Sequence, residues 1–157
     1  MRIKELLKKT HELFTHSSDF NKIHESQLLL SKLLNKNIIE IIYTKDLEIS
    51  EKKRKKFLKK IFFRNLGKPV SKLIGKKEFY SREFFVDSFT LDPRPESELI
   101  VDCVKKIKFK NHNLSILDLG TGTGCLLVSI YLELKNKNNF GVGVDICEKA
   151  LKVANKN

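Results

Sequence analysis

The chain has 157 residues, 41% of them hydrophobic and 9% aromatic, enough apolar side chains for a core in one ordinary domain or two small ones. Lys plus Arg is 31 and Asp plus Glu is 19, a net charge of +12 that favours an anionic partner, although a lysine-rich solvated surface explains the same excess equally well. No segment approaches the length of apolar residues that spans a bilayer, and Met1-Arg-Ile-Lys-Glu-Leu-Leu-Lys-Lys9 holds no uninterrupted apolar run, so neither a membrane span nor a secretory signal is expected. Cys103, Cys125 and Cys147 show no CxxC spacing and no neighbouring His cluster, so no metal site is expected; they read as buried thiols in a reducing, cytoplasmic compartment.

Residues 1 to about 75 read as a helical unit. Ile3, Leu6, Leu7, Leu13 and Phe14 mark one amphipathic helix. Asp19 is a candidate cap for a second, with Phe20, Ile23, Leu29, Leu30, Leu33 and Leu34 on its buried stripe, broken at Asn35-Lys-Asn37. Ile38-Ile-Glu-Ile-Ile-Tyr43 is too short for periodicity to decide, and its helical flanks favour helix. Ser50 is a candidate N-cap for a fourth helix that carries the basic run Lys52-Lys-Arg-Lys-Lys56, with Phe57, Leu58, Ile61 and Phe62 facing inward. Gly67 followed by Pro69 stops it. This region holds no Ser/His/Asp or Cys/His grouping, and His11, His16 and His24 read as surface residues.

The character changes at residue 76. Glu78-Phe-Tyr-Ser-Arg-Glu-Phe-Phe-Val86 places β-prone aromatics around a polar middle and predicts a hairpin. In Leu91-Asp-Pro-Arg-Pro-Glu-Ser-Glu98 two prolines hold the backbone extended. Pro95 suits the first position of the next helix, and Glu96 and Glu98 suit the positive end of its dipole. That helix runs through Leu99, Ile100, Cys103, Val104 and Ile107, and a loop near Lys110-Asn-His-Asn113 follows.

Ser115-Ile-Leu-Asp-Leu-Gly-Thr-Gly-Thr-Gly124 then reads as strand, tight turn and the start of a helix. Glycines at alternate positions allow turn dihedrals closed to other residues and let a ligand approach the backbone. The following helix presents unpaired N–H groups and its positive dipole end. Asp145 closes a second apolar run, Phe140-Gly-Val-Gly-Val144, where an acid can accept hydrogen bonds from ribose hydroxyls. The dinucleotide fingerprint G-x-G-x-x-G/A fails, because Cys125 or Leu127 stands at its last position.

The pattern Asp118-x-Gly120-x-Gly122-x-Gly124 with Asp145 resembles motifs I and II of the class I S-adenosylmethionine (SAM) methyltransferases. That resemblance implies SAM as cofactor. It places Gly120, Thr121, Gly122, Thr123, Gly124 and Asp118 at the methionine end and Asp145 on the ribose. The elements in order are more specific still. Gly67-Lys-Pro through Phe79-Tyr80, Phe85-Val86, Pro93-Arg-Pro-Glu-Ser-Glu98 and the glycine loop are together similar to the PrmC/HemK family, glutamine N5-methyltransferases of peptide chain release factors. The likeness covers the whole chain. It implies an α/β protein: a helical N-terminal bundle over 1–75 that docks the release factor, a hairpin and Pro-Arg-Pro-Glu linker over 76–98, and over 99–157 the first part of a Rossmann-like SAM domain. It also implies that Arg94, Pro95 and Glu96 border the SAM and substrate pocket.

The departures from the family pattern are informative. Lys68 stands where the family usually has Glu, Asp92 where it has Ile, and Ser97 where it has Thr. The family's catalytic Asn-Pro-Pro-Tyr loop is absent, so no catalytic residue is assigned and the chain is expected to be an inactive fragment. Two other readings stay open. One is a non-catalytic basic module that docks a release factor or RNA. The other is a nucleic-acid adenine N6-methyltransferase, which shares the glycine loop but carries a long recognition region not found here. A monomer is expected, with incidental RNA or ribosome contact through the basic surface.

Overall fold

A computed structural model describes residues 1–14, 19–109, 113–136 and 138–157, with the side chains of residues 19 and 20 left out. The architecture is α/β, as expected, and the chain divides into two compact units, Met1–Ile74 and Gly75–Asn157. The side chains on which the Asp19 cap and the buried place of Phe20 rest are not among those described, and His16 and positions 110–112 of the expected loop lie outside the described residues.

The first unit is helical: α1 Ile3–Leu13, α2 Asp19–Leu34, α3 Ile38–Tyr43, α4 Glu51–Asn65 and α5 Val70–Ile74. Its core is built from Ile3, Leu6, Phe14, Leu29, Leu30, Ile41, Ile49, Phe57 and Ile61, all buried. The caps follow from the residue types. Asn37 Oδ1 accepts the Glu40 N–H at 2.7 Å while the Glu40 carboxylate accepts the Asn37 N–H at 3.3 Å, a reciprocal box that lets a six-residue α3 start cleanly. Ser50 Oγ accepts from Lys53 N at 3.4 Å and opens α4. Gly67, with φ +87°, turns the chain out of α4. Arg64 forks onto Glu25 at 2.7 and 2.9 Å and ties α4 to α2.

Three expectations fail in this unit. Phe62 does not face inward; it is 61% exposed, because it follows Phe57 by five residues and so points about 140° around the helix from it. Leu13 and Ile23 are likewise exposed at the edges of their stripes. Gly67 and Pro69 do not only stop α4; the short helix α5 starts directly after Pro69.

The second unit opens with an antiparallel hairpin, β1 Lys76–Phe79 and β2 Arg82–Phe85. Tyr80 and Ser81 form its two-residue turn, both left-handed, at φ 49° and 57°. Phe79 and Phe84 meet edge to face, with centroids 6.3 Å apart. A 3-10 turn over Pro95–Ser97 precedes α6 Glu98–Lys106, so Pro95 opens that turn and not the α-helix itself. Then come β3 Ser115–Leu119, α7 Cys125–Glu133, β4 Phe140–Val144 and α8 Glu148–Lys156. Strands β3 and β4 pair in parallel, Ser115 opposite Phe140 and Leu119 opposite Val144.

Helix α7 covers one face of this two-stranded sheet and packs on α6, and the core gathers Phe79, Phe84, Val101 and Ile130. Both strands alternate, half-buried at Ile116, Asp118, Gly141 and Gly143 and exposed at Leu117, Leu119, Val142 and Val144. A parallel sheet is ordinarily covered on both faces; among the described residues this one is covered on one. The cysteines depart from the buried-thiol expectation. Cys103 is exposed, two residues from buried Val101 and therefore on the opposite side of α6. Cys125 and Cys147 are half-buried. No helix among the described residues is long and apolar enough to cross a membrane.

Candidate functional site

Where β3 ends, the chain makes three left-handed steps at Gly120 (φ 76°), Gly122 (φ 54°) and Gly124 (φ 75°). The intervening Thr121 and Thr123 are buried. The turn therefore alternates, with Gly120 exposed and Gly122 half-buried at the opening, the threonine side chains turned into the protein, and Gly124 buried where the loop enters α7. Each threonine fixes part of the loop. Thr121 Oγ1 donates to Asp118 Oδ2 at 2.8 Å, and Thr123 Oγ1 accepts the Cys125 N–H at 3.3 Å at the start of α7. The N–H groups of Gly120 and Thr121 both reach the Val144 carbonyl, at 2.8 and 2.9 Å, which locks the loop across the end of β4.

Asp145 stands just past β4 and takes two backbone bonds, from Gly122 N at 2.8 Å and Cys147 N at 2.9 Å. These N–H groups, Cys147 first and Gly122 second, hold its carboxyl below the usual aspartate range, so it is ionised at neutral pH. Each carboxylate oxygen keeps acceptor capacity for a further donor. A Cβ added at Gly120 would meet nothing within 4 Å, so there is open space over the loop. At Gly124 a Cβ would lie 3.4 Å from Ala154 Cβ, so the third glycine serves the close approach of α8. Glycines in β4 do similar work on the covered sheet face. A Cβ on Gly143 would come within 2.7 Å of Thr121 Oγ1, and one on Gly141 within 3.1 Å of Leu127 Cδ1.

The expected site residues thus separate into two groups. Asp118, Gly120, Thr121, Gly122, Thr123, Gly124 and Asp145 are brought together, with Asp118 bracing Thr121. Arg94, Pro95 and Glu96 are exposed, and among the described residues the side chains of Arg94 and Glu96 make no hydrogen bond or ion pair. Their segment is anchored by its neighbours, buried Pro93 and Glu98, whose Oε1 accepts the Tyr80 N–H at 2.9 Å.

Asn157 is a supporting residue that sequence reading missed. Its side chain accepts from Phe85 N at 2.7 Å and donates to Phe85 O at 3.1 Å and Thr123 O at 2.9 Å, joining β2 to the glycine loop. A lone Asn at a helix end carries no local signal of such a bond. A charged cluster was missed too. Glu133 meets both Lys105 and Arg82 at 2.7 Å, Lys105 also donates to the Tyr80 hydroxyl at 3.0 Å, and that hydroxyl donates to Asp102 at 2.7 Å. Lys105 first and Arg82 second pull the Glu133 carboxyl down to about 2. Two surface clefts, of about 320 and 380 Å³, lie at this cluster and beside Tyr131 and Phe140, and no lining residue of either belongs to the glycine loop.

No family model matches the chain. It is 36% identical over 157 residues to a release factor glutamine methyltransferase of Buchnera aphidicola subsp. Schizaphis graminum, covering all of this chain and 55% of that protein. A second, from Buchnera aphidicola subsp. Acyrthosiphon pisum, is 36% identical over 158 residues with the same two coverages. A third, from Clostridium acetobutylicum, is 32% identical over 119 residues, 76% of this chain and 42% of that protein. The chain spans about half the length of the curated relatives it matches. With the likeness running from the helical bundle through the glycine loop, the chain belongs to the PrmC/HemK family of release factor glutamine methyltransferases.

Proposed function

We propose that this chain carries the cofactor-side half of a SAM-dependent methyltransferase acting on the side-chain amide of the glutamine in the Gly-Gly-Gln motif of peptide chain release factors, in the cytoplasm. The observation that carries the reading is the loop Gly120–Gly124, with its Gly122 N–H on the Asp145 carboxylate at the ends of two parallel strands. The fit to the cofactor rests on two features. The space over Gly120 admits a ligand against the backbone, and Asp145 is an ionised acceptor with spare lone pairs for ribose hydroxyls. Bound there, SAM would supply the methyl group; the chain's own residues bind and orient it. Arg94, Pro95 and Glu96 would border the substrate side, and the helical unit would dock the release factor.

An amide nitrogen is a poor nucleophile, so transfer depends on acceptors that aim its N–H groups and on electrostatic stabilisation. Residues 1–157 supply no such acceptor loop. The chain alone should therefore bind SAM weakly and transfer nothing. A chimera tests the assignment: residues 1–157 joined to the unmatched C-terminal part of the first Buchnera relative, assayed with labelled SAM and a release factor. Label is expected at the Gly-Gly-Gln glutamine, and Asp145→Ala in the chimera should abolish it. A folded chimera that transfers nothing, beside an active Buchnera enzyme, would refute the proposal.

A further inference from the structure

The helical unit holds 18 Lys plus Arg against 8 Asp plus Glu, a formal +10 of the chain's +12, so the positive field belongs almost wholly to residues 1–74. Helix α4 concentrates it. Lys52, Lys55, Lys56 and Lys59 recur at the three- and four-residue spacing of a single helix face, and all are exposed. The same spacing continues into Phe62, Phe63 and Leu66, which are 61%, 36% and 67% exposed. This stripe lies opposite the one that buries Phe57 and Ile61. One helix face is thus cationic over its first two turns and aromatic over its last.

Most of its charges also lack an acidic partner among the described residues. Lys55 is 3.9 Å from Glu51, but among the described residues Lys52, Lys56 and Lys59 form no ion pair. Phe62 and Phe63 meet edge to face at 5.7 Å, and the Phe63 ring has Lys59 and Lys68 ammonium groups 5.9 and 5.7 Å from its centroid. An acidic protein surface would satisfy the lysines and leave the rings unmatched. A nucleic-acid duplex would do the same, since its bases are stacked inside. A single strand offers phosphates and open base faces together, which is the combination that basic grooves with aromatic platforms hold.

We infer that the outer face of α4 binds single-stranded nucleic acid, with lysines 52, 55, 56 and 59 on the phosphates and Phe62 and Phe63 stacking bases. The test uses the whole chain and a fluorescein-labelled uridine dodecamer, followed by anisotropy. Binding should weaken with salt at a slope of roughly −2 to −3 in log K against log salt, that of three to four phosphates on a single strand. Phe62→Ala with Phe63→Ala should weaken it about ten-fold or more and leave the helical circular dichroism intact, both rings being solvent-exposed. Lys52→Gln with Lys56→Gln and Lys59→Gln should flatten the slope to about −1 or less. Unlabelled polyglutamate of equal charge should compete poorly. The inference is overturned if the dodecamer does not bind at about 50 µM chain, if the ring variant binds it as the parent does, or if polyglutamate displaces it at equal concentration.

Discussion

Adding one methyl group at residue 143 should disturb the glycine loop without touching it in sequence. The backbone of Gly143 lies outside the left-handed region, so Ala is conformationally acceptable there. The obstacle is steric. The new Cβ would lie 2.7 Å from Thr121 Oγ1, 2.9 Å from its Cβ and 3.0 Å from its Cγ2. None of these atoms is the tip of a long side chain, and Thr121 is buried, so the loop itself must move. Overpacking of this kind costs about 1–3 kcal/mol. Displacing Thr121 also costs its bond to Asp118, about 1 kcal/mol. Reduced freedom of the unfolded chain returns about 0.4–1 kcal/mol. The net expectation is a loss of about 2 kcal/mol, which corresponds to about thirty-fold faster exchange of the Gly120, Thr121 and Gly122 amides. Gly141→Ala is the control: its Cβ meets Leu127 Cδ1 at 3.1 Å, a side-chain tip that can turn aside, so it should cost no more than about 1 kcal/mol. Urea unfolding followed by far-UV circular dichroism, with amide exchange by mass spectrometry, separates the two. If Gly143→Ala is as stable as the parent and exchanges its loop amides no faster, the packing argument for the alternate glycines is wrong.

Glu133→Gln should lower the melting temperature at pH 7 and converge with the parent at low pH. The folded Glu133 carboxyl, at about 2, is a stronger acid than its ordinary 4.5, so the stability it lends is complete above about pH 4.5 and is lost as the pH falls toward 2; melts across that window check it. Phe57→Ala, at a fully buried position, should cost about 3–5 kcal/mol and unfold the helical unit near room temperature, read from the circular dichroism melt. Limited trypsin digestion should leave a fragment ending near residues 67–80, since Gly67 and Gly75 flank the end of the first unit and the second exposes Leu117 and Leu119; equal protection of both units would contradict this. Calorimetry should show weak or no heat with SAM for the chain alone, and a micromolar affinity abolished by Asp145→Ala would refute that expectation.

Local chemistry was readable in the sequence wherever one residue type has one dominant use. Ser50 caps a helix because its side chain can accept a backbone N–H, and the alternate glycines turn left-handed because other residues resist it. Facing was harder. Phe62 counts as apolar in any periodicity, but only the helix angle from Phe57 shows that it points to solvent. The glycines of β4 read as part of an apolar run, whereas their use is absence of volume: Leu127 and Thr121 occupy the space their side chains would take. Asn157 and the Glu133 cluster act across tens of residues, and no local pattern encodes a partner at that range.

The hairpin turn has a consequence for the order in which the second unit folds. Two non-glycine residues in the left-handed region cost about 1–2 kcal/mol each, and a two-stranded hairpin is marginal by itself in water. What holds Tyr80 in place comes from later in the chain, the Glu98 carboxylate on its amide and Asp102 on its hydroxyl. The expected sequence of events therefore reverses the usual local-first rule: α6 must form and dock before β1 and β2 keep their register. Ser81→Gly would relax the turn's left-handed demand and let the hairpin form earlier, appearing as faster refolding at nearly unchanged unfolding rate.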